Sequence, residues 1–171
     1  TLAILDQPSR ERLFALAEQC SAGGKTIIFD PNYRQSLWTS RAQALPQIER
    51  AYQLCNILLS SSEDEQMLWG SASTEDSLER LRNYSIDEII LTNGPGEISG
   101  YDNDRRFQVQ AVEASEVVDT TSAGDAFNAG YVAARHAKLS IEESVVNASS
   151  LASIVVGFPG AIIPKSSMRK I

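Results

Sequence analysis

The twelve residues Asp119-Thr-Thr-Ser-Ala-Gly-Asp125-Ala-Phe-Asn-Ala-Gly130 constrain this chain more than any other stretch. They follow a short β-branched pair, Val117-Val118, and open an Ala-rich run that reads as a helix to about Lys138. The pattern predicts a strand that ends in a small-residue turn and enters a helix. Thr120, Thr121 and Ser122 are candidate caps, and Ala123 and Gly124 are small enough to let an anion reach the backbone. The first N–H groups of a helix have no intrahelical acceptor and lie at the positive end of the dipole, so such a turn is an anion site. Asp125 is the unusual member. A carboxylate beside an anion site repels the anion, unless its task is to accept a proton there. Phosphoryl transfer asks for that pairing of charge stabilisation with one base. A first-turn acid favoured by the helix dipole is the plainer reading of Asp125 taken alone.

The rest of the chain alternates short apolar runs with amphipathic ones, which predicts an α/β fold with a mostly parallel sheet flanked by helices. Leu2–Leu5 reads as a strand end, and Pro8–Cys20 as a helix capped by Ser9 and stopped by Gly23-Gly24. Thr26–Phe29 and Asn56–Ser60 read as buried strands. Between them Ser40–Leu54 is a helix that Pro46 is expected to start, because proline favours a first turn. A short helix through Met67–Trp69 stops at Gly70, and Thr74–Tyr84 is another, capped by Thr74. Glu88–Thr92 is a strand. Asn93-Gly-Pro-Gly96 turns it into a hairpin of Glu97–Tyr101 and Arg106–Gln110. Ser140-Ile-Glu-Glu143 is a capping box for a helix to about Val156, and Lys165–Ile171 reads as a polar tail. No linker or repeat interrupts residues 1–171, so one domain is expected.

Two further loops fall after strands, where open α/β sheets bind ligands. Asp30-Pro-Asn-Tyr-Arg34 precedes Leu37-Trp38, and Ser61-Ser-Glu-Asp-Glu65 opens the short helix. Arg34 offers a planar fork of donors to a carboxylate or phosphate, and Asn32 can bond a polar ligand. As bare local structure they are a turn and an acidic first helical turn.

Lys plus Arg number 15 against 22 Asp plus Glu, a formal charge of −7, which argues against nucleic acid or an anionic membrane as main partner. Cys20 and Cys55 lie apart from each other and from the single histidine, His136, so no zinc pattern forms. No run reaches membrane-span length and no secretory leader is visible. A reducing, cytoplasmic setting is expected.

DTTSAGDAFNAG resembles the signature of the ribokinase-like (PfkB) carbohydrate kinases, whose core reads D-T-x-G-A-G-D. Ser122 stands where many members have glycine. DPNYR with LW, and LLSSSEDE, are similar to the sugar-acid branch of the same family. The resemblance implies a three-layer ribokinase-like fold, of which this chain is the C-terminal, nucleotide-binding portion. It also implies that the family's N-terminal substrate-binding part and lid lie outside this stretch. It implies ATP and Mg²⁺, with a small sugar or sugar acid, most closely 2-keto-3-deoxygluconate, phosphorylated on its primary 6-hydroxyl. Fructokinase-type or ribokinase-type activity and a non-catalytic nucleotide-binding member are the alternatives. Asp125 becomes the catalytic base and the N–H groups of Ala123, Gly124 and Asp125 the anion hole. Thr92, Gly94, Gly96, Asn147 and Gly157 line the nucleotide. Asn32 and Arg34 meet substrate or phosphate, and Glu65 organises the metal indirectly. Family likeness also implies a homo-oligomer at full length and an inactive fragment. Neither a Walker GxxxxGK[ST] nor a strand-to-helix GxGxxG is present, which sets P-loop and dinucleotide chemistry aside.

Overall fold

The computed structural model describes residues 2–168. The chain divides into two compact units, residues 1–93 with 99–106 and residues 94–98 with 107–171. No linker marks the division, which falls within the hairpin.

The first unit opens with a 3-10 helix at Leu2–Ile4, not the expected strand. The Leu5 N–H folds back onto the Leu2 carbonyl (3.3 Å), and Leu2 is buried, so the segment is held by a turn and by packing. Helix α1 spans Gln7–Ala22. Asp6, not Ser9, caps it by accepting from the Ser9 N–H at 2.8 Å, with Pro8 in the first turn. Strand β1 is only Ile28–Phe29. Helix α2, Arg41–Leu54, starts at its Ser40 cap and runs through Pro46. The proline leaves the Ala42 carbonyl without its helical donor, but both residues are exposed and water can supply the bond. Strand β2 is Ile57–Ser61, helix α3 is Ser62–Trp69 and helix α4 is Thr74–Leu81. Gly70 ends α3 in the left-handed conformation (φ +73). Ser73 rather than Thr74 caps α4.

Strand β3, Glu88–Thr92, completes a parallel set with β1 and β2, in register Ile28↔Ile57 and Leu59↔Ile90. Parallel neighbours need crossovers, supplied by α2 and by α3 with α4. β2 and β3 are buried on nearly every residue, as strands covered on both faces must be. Strands β4 (Glu97–Asp102) and β5 (Arg105–Gln110) form the expected hairpin, and β4 runs antiparallel to β3. The strand order is β1-β2-β3-β4-β5. Asn56 pins the amino ends together. Its Oδ1 accepts from the Ile27 N–H (2.9 Å), and its carbonyl accepts from the Asp87 (2.9 Å) and Glu88 (3.0 Å) N–H groups. The carboxyl ends are thereby aligned, and the DPNYR and SSSEDE loops leave from them.

The second unit rests on α5 (Ala123–His136) and α6 (Ile141–Val155). The capping box of α6 forms as the sequence predicts. Gly130 explains how closely the two helices pack: a Cβ there would lie 2.9 Å from the Ala148 Cα. Phe127, Tyr131, Val145 and Ala148 fill the seam. Val117 and Val118 do not form the expected strand. Both are exposed, and the Val118 N–H bonds the Val156 carbonyl (2.8 Å) instead of a strand neighbour. Lys165–Ser167 is a 3-10 helix, and the last three residues of the expected tail lie outside the described residues. Among the described residues no helix is long and apolar enough to cross a membrane.

Candidate active site

The signature stretch enters α5 through Ser122, the N-cap, which sits in the left-handed region (φ +61, ψ 15) and makes no side-chain capping bond. That geometry costs a serine more than a glycine, which accounts for the motif's usual glycine. Capping by Thr120, Thr121 or Ser122 hydroxyls is therefore not what the structure shows. The Thr121 N–H turns back to Asp119 Oδ1 (2.8 Å), and the Ala123 N–H to the Thr120 carbonyl (3.1 Å). Of the three expected anion-hole donors, Ala123 is thus already engaged. Gly124 and Asp125 keep N–H groups with no acceptor among the described residues. Both residues are exposed, and a Cβ built on Gly124 would meet no atom within 4 Å. The approach to these donors is open.

That opening makes Gly124 testable. Gly124→Ala should leave the melting temperature within about 2 °C, since the added methyl meets nothing and alanine favours helix. On the sequence-based expectation that a phosphoryl group docks on these donors, the methyl stands in its approach, so kcat/KM for ATP should fall at least about tenfold in the full-length protein, equal to about 1.4 kcal/mol. Steady-state kinetics beside a thermal melt separate the two effects.

In the same unit, Asn147 sits on α6 immediately before Ala148, its Nδ2 donating to the Glu143 carbonyl (2.9 Å). Gly157 follows α6, and a Cβ there would press on the Ile154 carbonyl at 3.3 Å. Gly94 takes a left-handed turn (φ +55), and the Gly96 carbonyl accepts from the Ala111 N–H (3.2 Å).

In the first unit, Asp30 follows β1 directly and its Oδ1 accepts from the Asn32 N–H at 2.7 Å, holding Asn32 at φ +38. The Tyr33 N–H donates to Asp64 Oδ2 (3.2 Å), joining this loop to the first turn of α3. Tyr33 and Trp38 are buried beneath it, while Arg34 is exposed. The Thr92 hydroxyl donates to the Ser60 carbonyl (3.3 Å), tying β3 to β2.

Glu65 is not where the sequence reading puts it. It is fully buried and accepts from the Tyr52 hydroxyl (2.6 Å) and the Ser60 hydroxyl (2.8 Å), and it pairs with Arg80. Burial pushes its carboxyl up, opposed by the Tyr52 bond and the Arg80 charge. The acid that faces the DPNYR loop is its neighbour Asp64. Burial raises Asp64 to about 6, the Tyr33 N–H opposes that, Asp30 adds to it and Arg34 counters it. A perturbed carboxylate at the carboxyl ends of parallel strands marks a candidate functional group. The sequence held a signal for it: Ser61 caps α3 through the Asp64 N–H (3.1 Å), which fixes Asp64 at the helix entrance.

Asp64 also makes stability depend on pH. Its folded pKa of about 6 lies above the ordinary 3.8, so the folded state favours the protonated acid. Stability from this group is greatest below about pH 4 and is lost as pH rises through about 6, by at most about 3 kcal/mol. Asp64→Asn should remove that slope and raise stability at pH 7. Urea midpoints of both proteins at pH 4 and pH 7 check it, and a less stable variant at pH 7 refutes it.

Each unit thus carries one polar feature: the first has polar loops at the carboxyl ends of its parallel strands, and the second has a helix entrance with free N–H groups beside a carboxylate. A model of the pfkB family carbohydrate kinases matches residues 1–168, and the chain belongs to that family. It is 35% identical over 171 residues to the 2-dehydro-3-deoxygluconokinase of Escherichia coli K12, covering 98% of this chain and 55% of that protein. Among solved structures it is similar to a fructokinase from Vibrio cholerae in a fructose, ADP and calcium ion bound form (TM-score 0.84, 28% identity, 94% of this chain, 54% of that one). It also resembles the aminoimidazole riboside kinase of Salmonella enterica complexed with aminoimidazole riboside and an ATP analog (TM-score 0.83, 27% identity, 94% and 55%). The chain spans about half the length of the curated relatives it matches.

Proposed function

We propose that the whole protein transfers the γ-phosphoryl group of ATP to the primary hydroxyl of 2-dehydro-3-deoxygluconate, giving the 6-phosphate and ADP. The observation that carries this reading is Asp125: an exposed carboxylate in the first turn of α5, beside two unengaged N–H groups and an open approach. Asp125 accepts the proton of the attacking hydroxyl as that oxygen bonds to the γ-phosphorus. The bond from the γ-phosphorus to the bridging oxygen breaks, and ADP leaves with the electron pair. The Gly124 and Asp125 N–H groups hold the charge that spreads over the phosphoryl oxygens.

No group of three metal-binding side chains exists among the described residues. Magnesium binds through one or two carboxylates, phosphate oxygens and water, and Asp64 with Asp30 nearby is the pair in this chain that would hold it. Bound magnesium supplies charge neutralisation between the phosphates. Arg34, exposed in its loop, favours an acceptor that carries a carboxylate over a neutral sugar. Asn147, Gly157, Gly94 and Gly96 are assigned to the nucleotide side, and Thr92 to holding the strand beneath.

The deciding experiment is a coupled ADP-release assay on the full-length protein with ATP, magnesium and a panel of acceptors. The sugar acid should exceed fructose, ribose and adenosine in kcat/KM by at least about 100-fold, the discrimination a site built for a charged group provides. Preference for fructose or ribose assigns the protein to that branch, and ATP binding without turnover on any acceptor refutes catalysis.

A further inference from the structure

We propose that Arg10 is a positioning residue for acceptor recognition, clamping Trp38 so that the turn carrying Arg34 keeps one orientation. The inference rests on the reading of Arg34 above and adds a residue of α1 that this reading does not use. Arg34 leads into a single 3-10 turn, Gln35–Leu37, and Trp38 closes it. The Leu37 N–H bonds the Arg34 carbonyl (2.9 Å), and the Trp38 N–H bonds the Gln35 carbonyl (3.2 Å). Every residue from Arg34 to Leu37 is exposed, while Tyr33 before them and Trp38 after them are buried. The turn is therefore held from its two ends, and the direction of the Arg34 guanidinium depends on both anchors.

The two anchors differ in kind. Tyr33 is buried and its N–H is fixed by Asp64 Oδ2 at 3.2 Å. Trp38 is 7% exposed, and its indole Nε1 is buried with no hydrogen-bond partner among the described residues. A buried indole N–H usually finds an acceptor. Without one, only packing orients the ring. Leu2, Phe14 and Tyr33 share its apolar cluster. Arg10, in the first turn of α1, lies over the ring with its guanidinium carbon 5.1 Å from the centroid, within the range of a cation–π contact. The Arg10 Nε is also buried with no hydrogen-bond partner among the described residues, so it is the ring, not an acceptor on that nitrogen, that it meets.

A guanidinium recognises a carboxylate through a planar fork, so its contribution depends on angle as well as distance. Releasing Trp38 lets the turn adopt other orientations, and ordering it on binding then costs affinity. The cost falls on the acceptor that Arg34 meets and not on the nucleotide. The plainer role for Arg10, an aliphatic stem covering apolar surface, would change stability and leave recognition alone.

The test uses the full-length protein. Arg10→Met keeps an apolar stem and removes the guanidinium. It should raise the KM for the sugar acid about 3- to 10-fold, with kcat and the KM for ATP held within about twofold. Hydrogen exchange should quicken in a peptide covering 33–38 and stay unchanged in one covering 62–69. Arg34→Met and the double variant complete a cycle. Because Arg10 acts through Arg34, Arg10→Met should add less than about 1.5-fold to the KM once Arg34 is gone. Arg10→Lys keeps a cation over the ring without the plane, and its KM should fall between those of wild type and Arg10→Met. An unchanged KM in Arg10→Met, an equal rise in the KM for ATP, an effect that persists without Arg34, or unchanged exchange at 33–38 overturns the proposal. So does failure of both Arg10 variants to fold, which makes Arg10 a determinant of folding. Failure of the acceptor reading looks different: Arg34→Met then leaves the sugar-acid KM at the wild-type value. Failure of the clamp alone leaves Arg34→Met impaired and Arg10→Met normal.

Discussion

Replacing Asp125 by asparagine in the full-length protein is expected to lower kcat about 10³-fold, within the range a general base contributes. The substitution is isosteric, so the first turn of α5 keeps its shape. The Gly124 and Asp125 N–H groups are backbone and remain in place, so ATP should bind within about threefold of wild type by calorimetry. The alternative role, a first-turn acid stabilised by the helix dipole, gives a different result. It would cost about 0.3–1 kcal/mol of stability and leave turnover intact. The structure sharpens the contrast, because Asp125 is exposed and no side chain among the described residues engages it. A carboxylate with nothing to hold has little structural work to lose. Turnover within tenfold of wild type would remove Asp125 as the base.

Most of the helices carry boundary chemistry of their own, which made them legible even where the capping residue was misplaced, as at Asp6 and Ser73; α5 has no side-chain cap. Ser40, Ser61, Ser73 and Ser140 all cap through a side chain, and Gly70 closes α3 as only a left-handed residue can. The buried strands β2 and β3 were legible as apolar runs of the right length. Val117-Val118 misled because β-branched residues suit a pleated surface only when a neighbouring strand supplies one, and here none pairs with them. Pro46 misled in the other direction: in the exposed half of α2 water replaces the bond it removes.

The site divides in the same way. The anion turn was readable because its function lies in backbone groups and residue size, which are properties of local sequence. The role of the SSSEDE turn was not. Successive helical residues differ by about 100° in direction, so Glu63, Asp64 and Glu65 face three ways. Only the packing partners Tyr52, Ser60 and Arg80 decide that Glu65 is turned into the core, while Asp64 is buried against the Tyr33 N–H. Asp119 was visible as the first residue of the motif, but its second bond reaches a residue 41 positions away, beyond any local pattern.

Glu65 gives the largest expected effect on stability. Glu65→Ala should destabilise the protein by about 3–5 kcal/mol, because it strands a partly buried guanidinium. Arg80 is stacked 4.3 Å from the Trp69 ring, and its Nε and Nη1 are buried with no hydrogen-bond partner among the described residues, so it cannot turn to water without abandoning that contact. The Tyr52 and Ser60 hydroxyls lose their acceptor as well. The reverse deletion behaves differently with pH. In Arg80→Met the buried Glu65 carboxyl, already raised by burial, rises further and takes up a proton. Stability from a group with a raised folded pKa is present below the unfolded value and is lost as pH rises through the folded one. Arg80→Met should therefore be mild near pH 5 and severe near pH 8, while Glu65→Ala is severe at both. Urea titrations of the two variants at those pH values measure this directly. The same proteins test the metal question: a buried structural pair leaves the magnesium dependence of kcat unchanged in whatever fraction remains folded. A Glu65→Gln variant with wild-type melting and a raised magnesium requirement would return Glu65 to the metal.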